Sequence, residues 1–542
     1  MWKYACLMLL PALPAPAEEI LYNGIQLPSP WPPSRNIVLP YQPMEVPYLK
    51  EPPRVIPIDT GRQLFVDDFL IAETSLPRVY HQAQYHPETP VLKPDKPWET
   101  TERGPASMVF SDGVWYDPAD RLFKMWYMAG YTEGTAMATS RDGIHWEKPT
   151  FDVVAGTNIV MRTRRGSTIV WLDSEEANPG RRFKMFRQVF GRPPTFALHF
   201  SPDGIHWSDT VALSGSAKDR STLFWNPFRK VWVFSLKEEM SYVRGDLPQP
   251  QNGRMRRYHE HPSIVDGMDW VRSTLPAWVG ADALDPRRED LKLPAQLYNL
   301  DAVAYESLII GLFTIFRGEP KDRAKPNELV AGYSRDGFHW YRPDRRALIP
   351  VSERHGDWNW GNVQSAGGVM LVVGDQLYFY VSGRAGVNGS EDSGVCTTGL
   401  ATLRRDGFAS MRAPAGGAGG TLTTRVVRFS GSRLFVNAAV RGELRAEVLD
   451  EAGRVIAPYS AERCEVVRGD KTLIAVRWKD GEDLSELHGK PLRLRFHLRD
   501  GDLYSFWVSP NVSGASRGYV GAGGPGFTGP RDTVGVEAYR GR

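Results

Sequence analysis

The chain has 542 residues, enough for two or three domains, and its 66 Lys and Arg nearly balance 63 Asp and Glu. A net charge of +3 makes no global case for a nucleic-acid partner. Seventeen Trp and 42 Pro, with few long apolar stretches of helical period, exclude a mainly helical protein and favour an all-β one rich in turns.

The first residues, MWKYACLMLLPALPAPAEE, read as a short secretory signal. Lys3 supplies the positive end, Ala5 to Leu13 the apolar stretch, and Ala15-Pro16-Ala17 a small-residue cleavage site ending residues 1–17. The expected location is therefore secreted or periplasmic. No apolar run of spanning length follows, so no transmembrane segment is expected. Residues 18–57 read as an extended segment. After cleavage Cys396 and Cys464 remain, in separate domains, and two free thiols are expected.

From residue 58 to 411 the chain repeats itself. SRDGIHWEKP begins at Ser140, SPDGIHWSDT at Ser201 and SRDGFHWYRPD at Ser334, with degenerate copies SIVDGMDW at Ser263 and LRRDGFASM at Leu403. Their aspartates, Asp142, Asp203, Asp266, Asp336 and Asp406, are spaced 61, 63, 70 and 70 residues apart. Before each phrase lies an aromatic-rich stretch, such as RLFKMWYMAG at Arg121, and before that another apolar run, such as SMVFSDGVWY. Strand, turn, strand, strand, Asp-Gly, strand, repeated five times, describes a five-bladed β-propeller. Gly supplies the positive φ of a tight hairpin. His145, His206 and His339 then belong to outer hairpins, as rim or packing residues and not as ligands. PRVYHQA at Pro77 is expected to complete the last blade and shut the ring.

After Met411, RAPAGGAGGTLTTR reads as a flexible linker over 412–425. Within 426–510, PLRLRFHLRDGDLYSFWV alternates: Leu492, Leu494, Phe496 and Leu498 share one face, Arg493, Arg495, His497 and Arg499 the other. With RLFVNAAVRGELRAEVLDEAG it predicts a small antiparallel β-sandwich. The Gly-rich end, 511–542, reads as a loosely ordered tail.

The innermost strand of each blade lines the axis, so residues at its entrance gather round one mouth. Blade one offers Glu99, Glu102 and Arg103 in WETTERGPA; blade two offers Arg164 and Arg165 in RTRRGS and no acid. Blade three offers Asp219 and Arg220 in KDRST, and blade four Asn299 and Asp301 in YNLDAVAYE, with Glu306 at the far end. Blade five offers Trp358, Trp360, Asn362 and Gln364 in WNWGNVQSAGG, and Arg384 leaves its second strand. Asp67 and Asp68 in LFVDDFLI are an acidic pair in an apolar run; they either reach the funnel or pair with arginines as the ring closes. His259 and His261 in YHEHP have metal-like spacing but no third ligand nearby, and neither metal nor cofactor is expected.

Glycoside cleavage needs one carboxyl to protonate the leaving oxygen and a second to act as nucleophile or base. Aromatic faces and amides then hold the sugar. Asp219, Asp301 and Glu102 are the catalytic candidates, unassigned between acid and base because that depends on their separations. Arg103, Arg220, Asn299, Trp360, Asn362, Gln364, Arg384 and Asp68 are the substrate-binding candidates.

A propeller with an appended sandwich resembles the glycoside hydrolase family 32, 43 and 68 group, and LFVDDFLI near the start is similar to bacterial sequences of the family 32-like kind. The resemblance covers residues 55 to 510 in architecture. In its motifs the chain departs: KDRS at Lys218 sets the Arg after Asp219 where the group has it before, and neither an Asn-Asp-Pro-Asn segment nor a Glu-Cys pair is present. The phrase is also similar to the sialidase Asp-box, but lacks the residue between Asp and Gly, so no sialidase mechanism follows. With the signal, these features lead to an expected exported glycoside hydrolase acting on a plant or algal oligo- or polysaccharide. A non-catalytic glycan-binding propeller would need the Trp and Asn but not three acids. A phosphorylase would need a cation cluster, which Arg103, Arg164, Arg165, Arg220 and Arg384 can supply. Free phosphate is scarce outside cells, so hydrolysis is the expectation.

Overall fold

The computed structural model describes residues 19–34, 42–242, 251–288, 294–318, 322–323, 325–479, 481 and 483–539. The expected signal, residues 1–17, lies outside them. Five separate antiparallel sheets form a five-bladed propeller. From axis to rim, blade one is Ser107–Asp117, Leu122–Ala129, Gly134–Ser140 and Ile159–Met161. Blade two is Thr168–Leu172, Phe183–Val189, Thr195–Ser201 and Ala212–Leu213. Blade three is Thr222–Asn226, Val231–Tyr242, Gln251–His261 and Ala277–Gly280. Blade four has Gln296–Glu306, Leu308–Phe316 and Asn327–Ser334, with its rim held by bridges from Leu329 to Ile349 and Tyr333 to Tyr341. In blade five Asn362–Gln364 and Leu371–Val373 share the inner place, followed by Gln376–Arg384, Cys396–Arg404 and the N-terminal Gln84–Tyr85. An N-terminal strand does shut the ring, but it lies just beyond PRVYHQA. Arg78–Tyr80 pairs instead with Ala409, Ser410 and Met411 in the C-terminal sheet.

The repeated phrase is an inter-blade latch. Oδ1 of Asp142 accepts from the backbone N–H of Ile144 and His145, its Oδ2 meets His145 Nδ1 at 2.7 Å, and Ser140 Oγ accepts from Gly143 N–H. Asp203 with His206 and Asp336 with His339 repeat these bonds. A carbonyl of each turn then faces the preceding blade. Tyr380 Oη donates to Gly143 O, Trp126 Nε1 to Gly204 O at 2.8 Å, and Trp278 Nε1 to Phe338 O at 2.8 Å. Gly204 has φ +82°, and a Cβ there would lie 2.3 Å from the Trp126 ring, so turn and latch both require glycine. Rings fill the spaces between blades: Trp126 packs on Phe183, Trp171 on Trp232 and Tyr258 on Phe338. A buried ring hides ~150–250 Å², about 4–6 kcal/mol gross at ~25 cal/mol per Å², against about 1 kcal/mol net for one latch bond. Packing holds the blades together, and the latch sets their register.

Two 18-residue strands, Arg433–Asp450 and Leu492–Ser509, form the spine of the C-terminal sheet. Leu494, Phe496 and Leu498 are buried there while Arg493, Arg495 and His497 are half-buried, which is the expected alternation. Hydrogen bonds join ten strands into one continuous sheet with a core of its own. Three expectations about its borders change. Ile56–Pro57, Gln63–Leu64 and Ile71–Thr74 pair into this sheet, so the propeller does not begin at residue 58. The 412–425 stretch is not a free linker, because Gly420–Thr424 pairs with both Ile71–Thr74 and Leu492–Ser509. Residues 511–539 are not a loose tail: Tyr519–Val520 pairs with the inner strand of blade four, and buried Asp532 meets Arg405 at 3.2 Å. Glycine-rich composition signals a large entropic cost of ordering, but it does not reveal the backbone and ionic partners that offset it. Cys396 and Cys464 are free and buried. Among the described residues no helix is long and apolar enough to cross a membrane.

Candidate functional site

Side chains from all five blades meet around Arg220 and Asp301. Blade one's inner strand breaks register between Met108 and Gly113, with Phe110 at φ 23° and Gly113 at 127°. Such a bulge re-aims side chains, and a bulky residue at positive φ is strained, as happens at functional sites. Here Ser111 and Asp112 are turned towards the neighbouring blades. Asp112 takes both guanidinium nitrogens of Arg165 from blade two, at 2.6 and 2.9 Å, and both residues are fully buried. Arg220, from blade three, is also fully buried. It donates to Phe110 O and Ser111 Oγ of blade one and to Ser365 O of blade five, while its backbone N–H donates to Ser167 Oγ of blade two. Its own φ is +59°.

Asp301 stands on the inner strand of blade four, 2 % exposed. Its Oδ2 accepts from Asn299 Nδ2 at 2.7 Å and from Ser365 Oγ at 2.6 Å, and it makes no ion pair with a described residue. Burial raises this carboxyl above its ordinary range, outweighing the opposing pull of Arg220, Ser365, Arg256 and Asn299. Asp219 is in the opposite condition. Burial works against its charge too, but Lys237 Nζ at 2.6 Å, with Arg220 and Arg256 nearby, holds it below the ordinary range. Two carboxyls that act on the same pair of arginines, Arg220 and Arg256, are thus pushed apart in acidity. Arg256, fully buried on blade three, donates to Arg220 O at 2.7 Å and to Tyr298 O. Burial and then repulsion from Arg220 lower Arg256 to about 9. Burial lowers Arg220 to about 10 even though Asp301 pulls the other way.

The remaining sequence candidates divide. Asn299 binds Asp301 directly. Asn362 pairs in the ladder with Arg384, and Gln364 Nε2 lies 3.4 Å from Asn362 Oδ1, one residue before Ser365. Arg384 is 9 % exposed, with its guanidinium 5.5 Å from the Phe110 ring centre and 5.4 Å from that of Tyr131. Glu102 and Arg103 are exposed between the short strands Thr100–Thr101 and Gly104–Pro105, where Arg103 donates to Thr132 Oγ1 and lies 3.7 Å from Glu133.

Others are corrected. Asp68 pairs with Arg78 at the seam with the C-terminal sheet, and Asp67 grips Arg335 twice at 2.8 Å, so neither serves the funnel. Trp360 is buried, covered by Arg323 and edged by His355, and offers no free stacking face. Glu99 is fully buried and bound by Tyr127 Oη and Lys148 Nζ. Arg164 lies over the Phe190 ring. His259 packs between Phe234 and Trp270, and His261 Nδ1 meets Ser263 O.

Sequence reasoning missed Ser111, Asp112, Ser365, Lys237 and Arg256. Ser-Asp-Gly inside SMVFSDGVWY was the available signal for the bulge, and Arg254 and Arg256 at a spacing of two show that one strand face is cationic.

No family model and no curated protein matches the sequence. Among solved structures, an N-acetylgalactosamine deacetylase from F. plautii in complex with blood group B trisaccharide is similar over 62% of this chain and 96% of its own, at 14% identity and TM-score 0.40. A thermostable family-43 glycoside hydrolase is similar over 56% and 93%, at 9% identity and TM-score 0.37. The Bombyx mori GH32 β-fructofuranosidase BmSUC1 is similar over 78% and 95%, at 11% identity and TM-score 0.35. Families 32 and 43 are two that the sequence resembles; at this depth the likeness assigns no chemistry to any residue here.

Proposed function

We propose that the protein is an exported glycoside hydrolase whose funnel cleaves a glycan with Asp301 as general acid and Asp219 as the ionised carboxylate. The observation that carries this reading is the opposite tuning of the two groups. Asp301 is buried, has no ion pair among the described residues and is held above its ordinary range, whereas Asp219 is held below it by Lys237. Pairs of carboxyls driven apart in this way divide acid and base roles. Both described hydrogen bonds to Asp301 fall on Oδ2, which leaves Oδ1 to carry the proton. As the glycosidic C–O bond breaks, the leaving oxygen takes that proton. Asp219 acts on the anomeric side as nucleophile or as base towards water, and one water is consumed for each bond cut. Asn299, Asn362, Gln364 and Arg384 contribute hydrogen-bonding groups for the sugar, and Glu102 is a further acid at the rim. A non-catalytic glycan-binding propeller has no use for two carboxyls tuned in opposite directions beside the same arginines.

The test is a panel of polysaccharides and aryl glycosides offered to the purified wild type, Asp219→Asn and Asp301→Asn. Cleavage of at least one substrate by the wild type alone is expected. Cleavage that survives in both variants would remove the assignment.

A further inference from the structure

The funnel buries more positive than negative charge. The polar partners of Arg220 are two carbonyls and a hydroxyl, and those of Arg256 are two carbonyls. Arg384 has the Ser393 and Tyr131 hydroxyls. None of the three pairs with a carboxylate among the described residues. Asp219 is occupied by Lys237, which leaves Asp301 as the carboxylate beside Arg220 and Arg256 without an ion pair to a described residue. Buried cations ordinarily pair or coordinate, and elsewhere in this chain Arg62, Arg335 and Arg405 all hold carboxylates, as Arg165 beside the site does. Burial first and then repulsion from Arg220 lower Arg256, and burial first with a lesser push from Arg384 lowers Arg220.

The three guanidiniums are not equivalent. Arg220 and Arg256 have no exposed surface, whereas Arg384 keeps some. All three Nε atoms are buried without a partner among the described residues, but only Arg384 has its flanks on both Phe110 and Tyr131. A guanidinium clamped by rings retains a planar fork suited to an oxyanion. Arg220 lies over the same Phe110 ring at 4.2 Å and adds its field from behind.

We infer that the glycan taken by this funnel carries an oxyanion, a uronate carboxylate or a sulfate ester, and that Arg384 is the residue that contacts it. This rests on the funnel's being the glycan site, but it is tested by binding and not by turnover.

The full-length Asp301→Asn variant, which binds without cleaving, is titrated by calorimetry at constant ionic strength with four probes. These are an oligogalacturonate, a sulfated oligosaccharide, a neutral oligosaccharide of equal length and inorganic phosphate. One of the acidic oligosaccharides is expected to bind at least tenfold tighter than the neutral one. Adding Arg384→Ala is expected to remove at least tenfold of that affinity and Arg384→Lys less, while Arg441→Ala, on the exposed C-terminal sheet, changes nothing. Should Arg384→Ala fail to fold, the acidic-to-neutral ratio decides alone. Equal affinity for the neutral probe overturns the inference, and if that probe is also cleaved by the wild type, the hydrolase reading survives without it. Binding of phosphate in preference to both acidic oligosaccharides also overturns it, assigning the arginines to a free co-substrate. Acidic binding by a wild type that cleaves nothing upholds the inference and sinks the hydrolase reading.

Discussion

One strand, Gln296–Glu306 of blade four, carries two buried carboxylates that the fold treats in opposite ways. Glu306, at the far end, meets Arg405 at 3.1 Å and Arg62 at 3.4 Å and accepts from Ser516 Oγ at 2.7 Å. The same two arginines also hold Asp406 and Asp532, so three carboxylates share two guanidiniums and every one of them has an ion pair inside the chain. Asp301, five positions earlier, has hydroxyl and amide partners and no ion pair among the described residues, beside Arg220 and Arg256, which likewise lack one there. Ion pairing ties the N-terminal segment, blades four and five, the C-terminal sheet and residues 511–539 together. Around Asp301 no such pairing forms among the described residues. Burial alone does not separate the two clusters; what separates them is whether the chain supplies its own partners.

The comparison is broken most directly by exchanging its two members. Asp301→Asn is expected to lower cleavage by about 10²–10⁴-fold, the usual worth of a general acid, with the unfolding midpoint kept. Glu306→Gln is expected to cost about 3–5 kcal/mol of stability, because it breaks its buried ion pairs with Arg62 and Arg405, while the protein that remains folded cleaves at the wild-type rate. Denaturant unfolding and turnover measured on both variants check this. If Asp301→Asn unfolds the protein and spares turnover, the two clusters have the same role.

A pH profile sharpens the contrast within the funnel. Asp219 must be ionised and is held below 3.8, so activity rises with pH through a limb below that value. Asp301 must be protonated and is held above 3.8, so activity falls through a second limb above it. A bell on the acid side is expected, and an alkaline limb unaffected by replacing Lys237, together with an acid limb that moves up in Lys237→Met, fits the assignment.

The smallest effect belongs to a third kind of carboxylate. Asp203 lies in an outer turn, where its bonds to His206, Ile205 and Ser201 outweigh partial burial and pull it to about 2. Its stabilisation is therefore complete above 3.8 and lost as pH falls towards 2. Screened by solvent, it amounts to less than about 1 kcal/mol. Asp203→Asn should flatten that acid loss slightly and leave cleavage untouched.

The five Asp-Gly phrases and their spacing were enough to count the blades, because a tight turn is set by a few adjacent residues and by glycine's freedom at positive φ. The alternation at Leu492 to Leu498 was legible for the same reason, since a strand with one buried face repeats every two residues. Arg220, Asn299 and Asp301 were legible as entrants to the mouth because each begins or lines an inner strand. The choice among acids was not. Asp67 finds Arg335, Glu99 finds Lys148, Asp112 finds Arg165 and Asp532 finds Arg405, at separations of 268, 49, 53 and 127 residues. An acid's role depends on Coulomb attraction over a few ångströms and on the water removed around it. Both quantities exist only once distant strands have closed the ring, and that closure decides which carboxylates gain an ion pair and which do not.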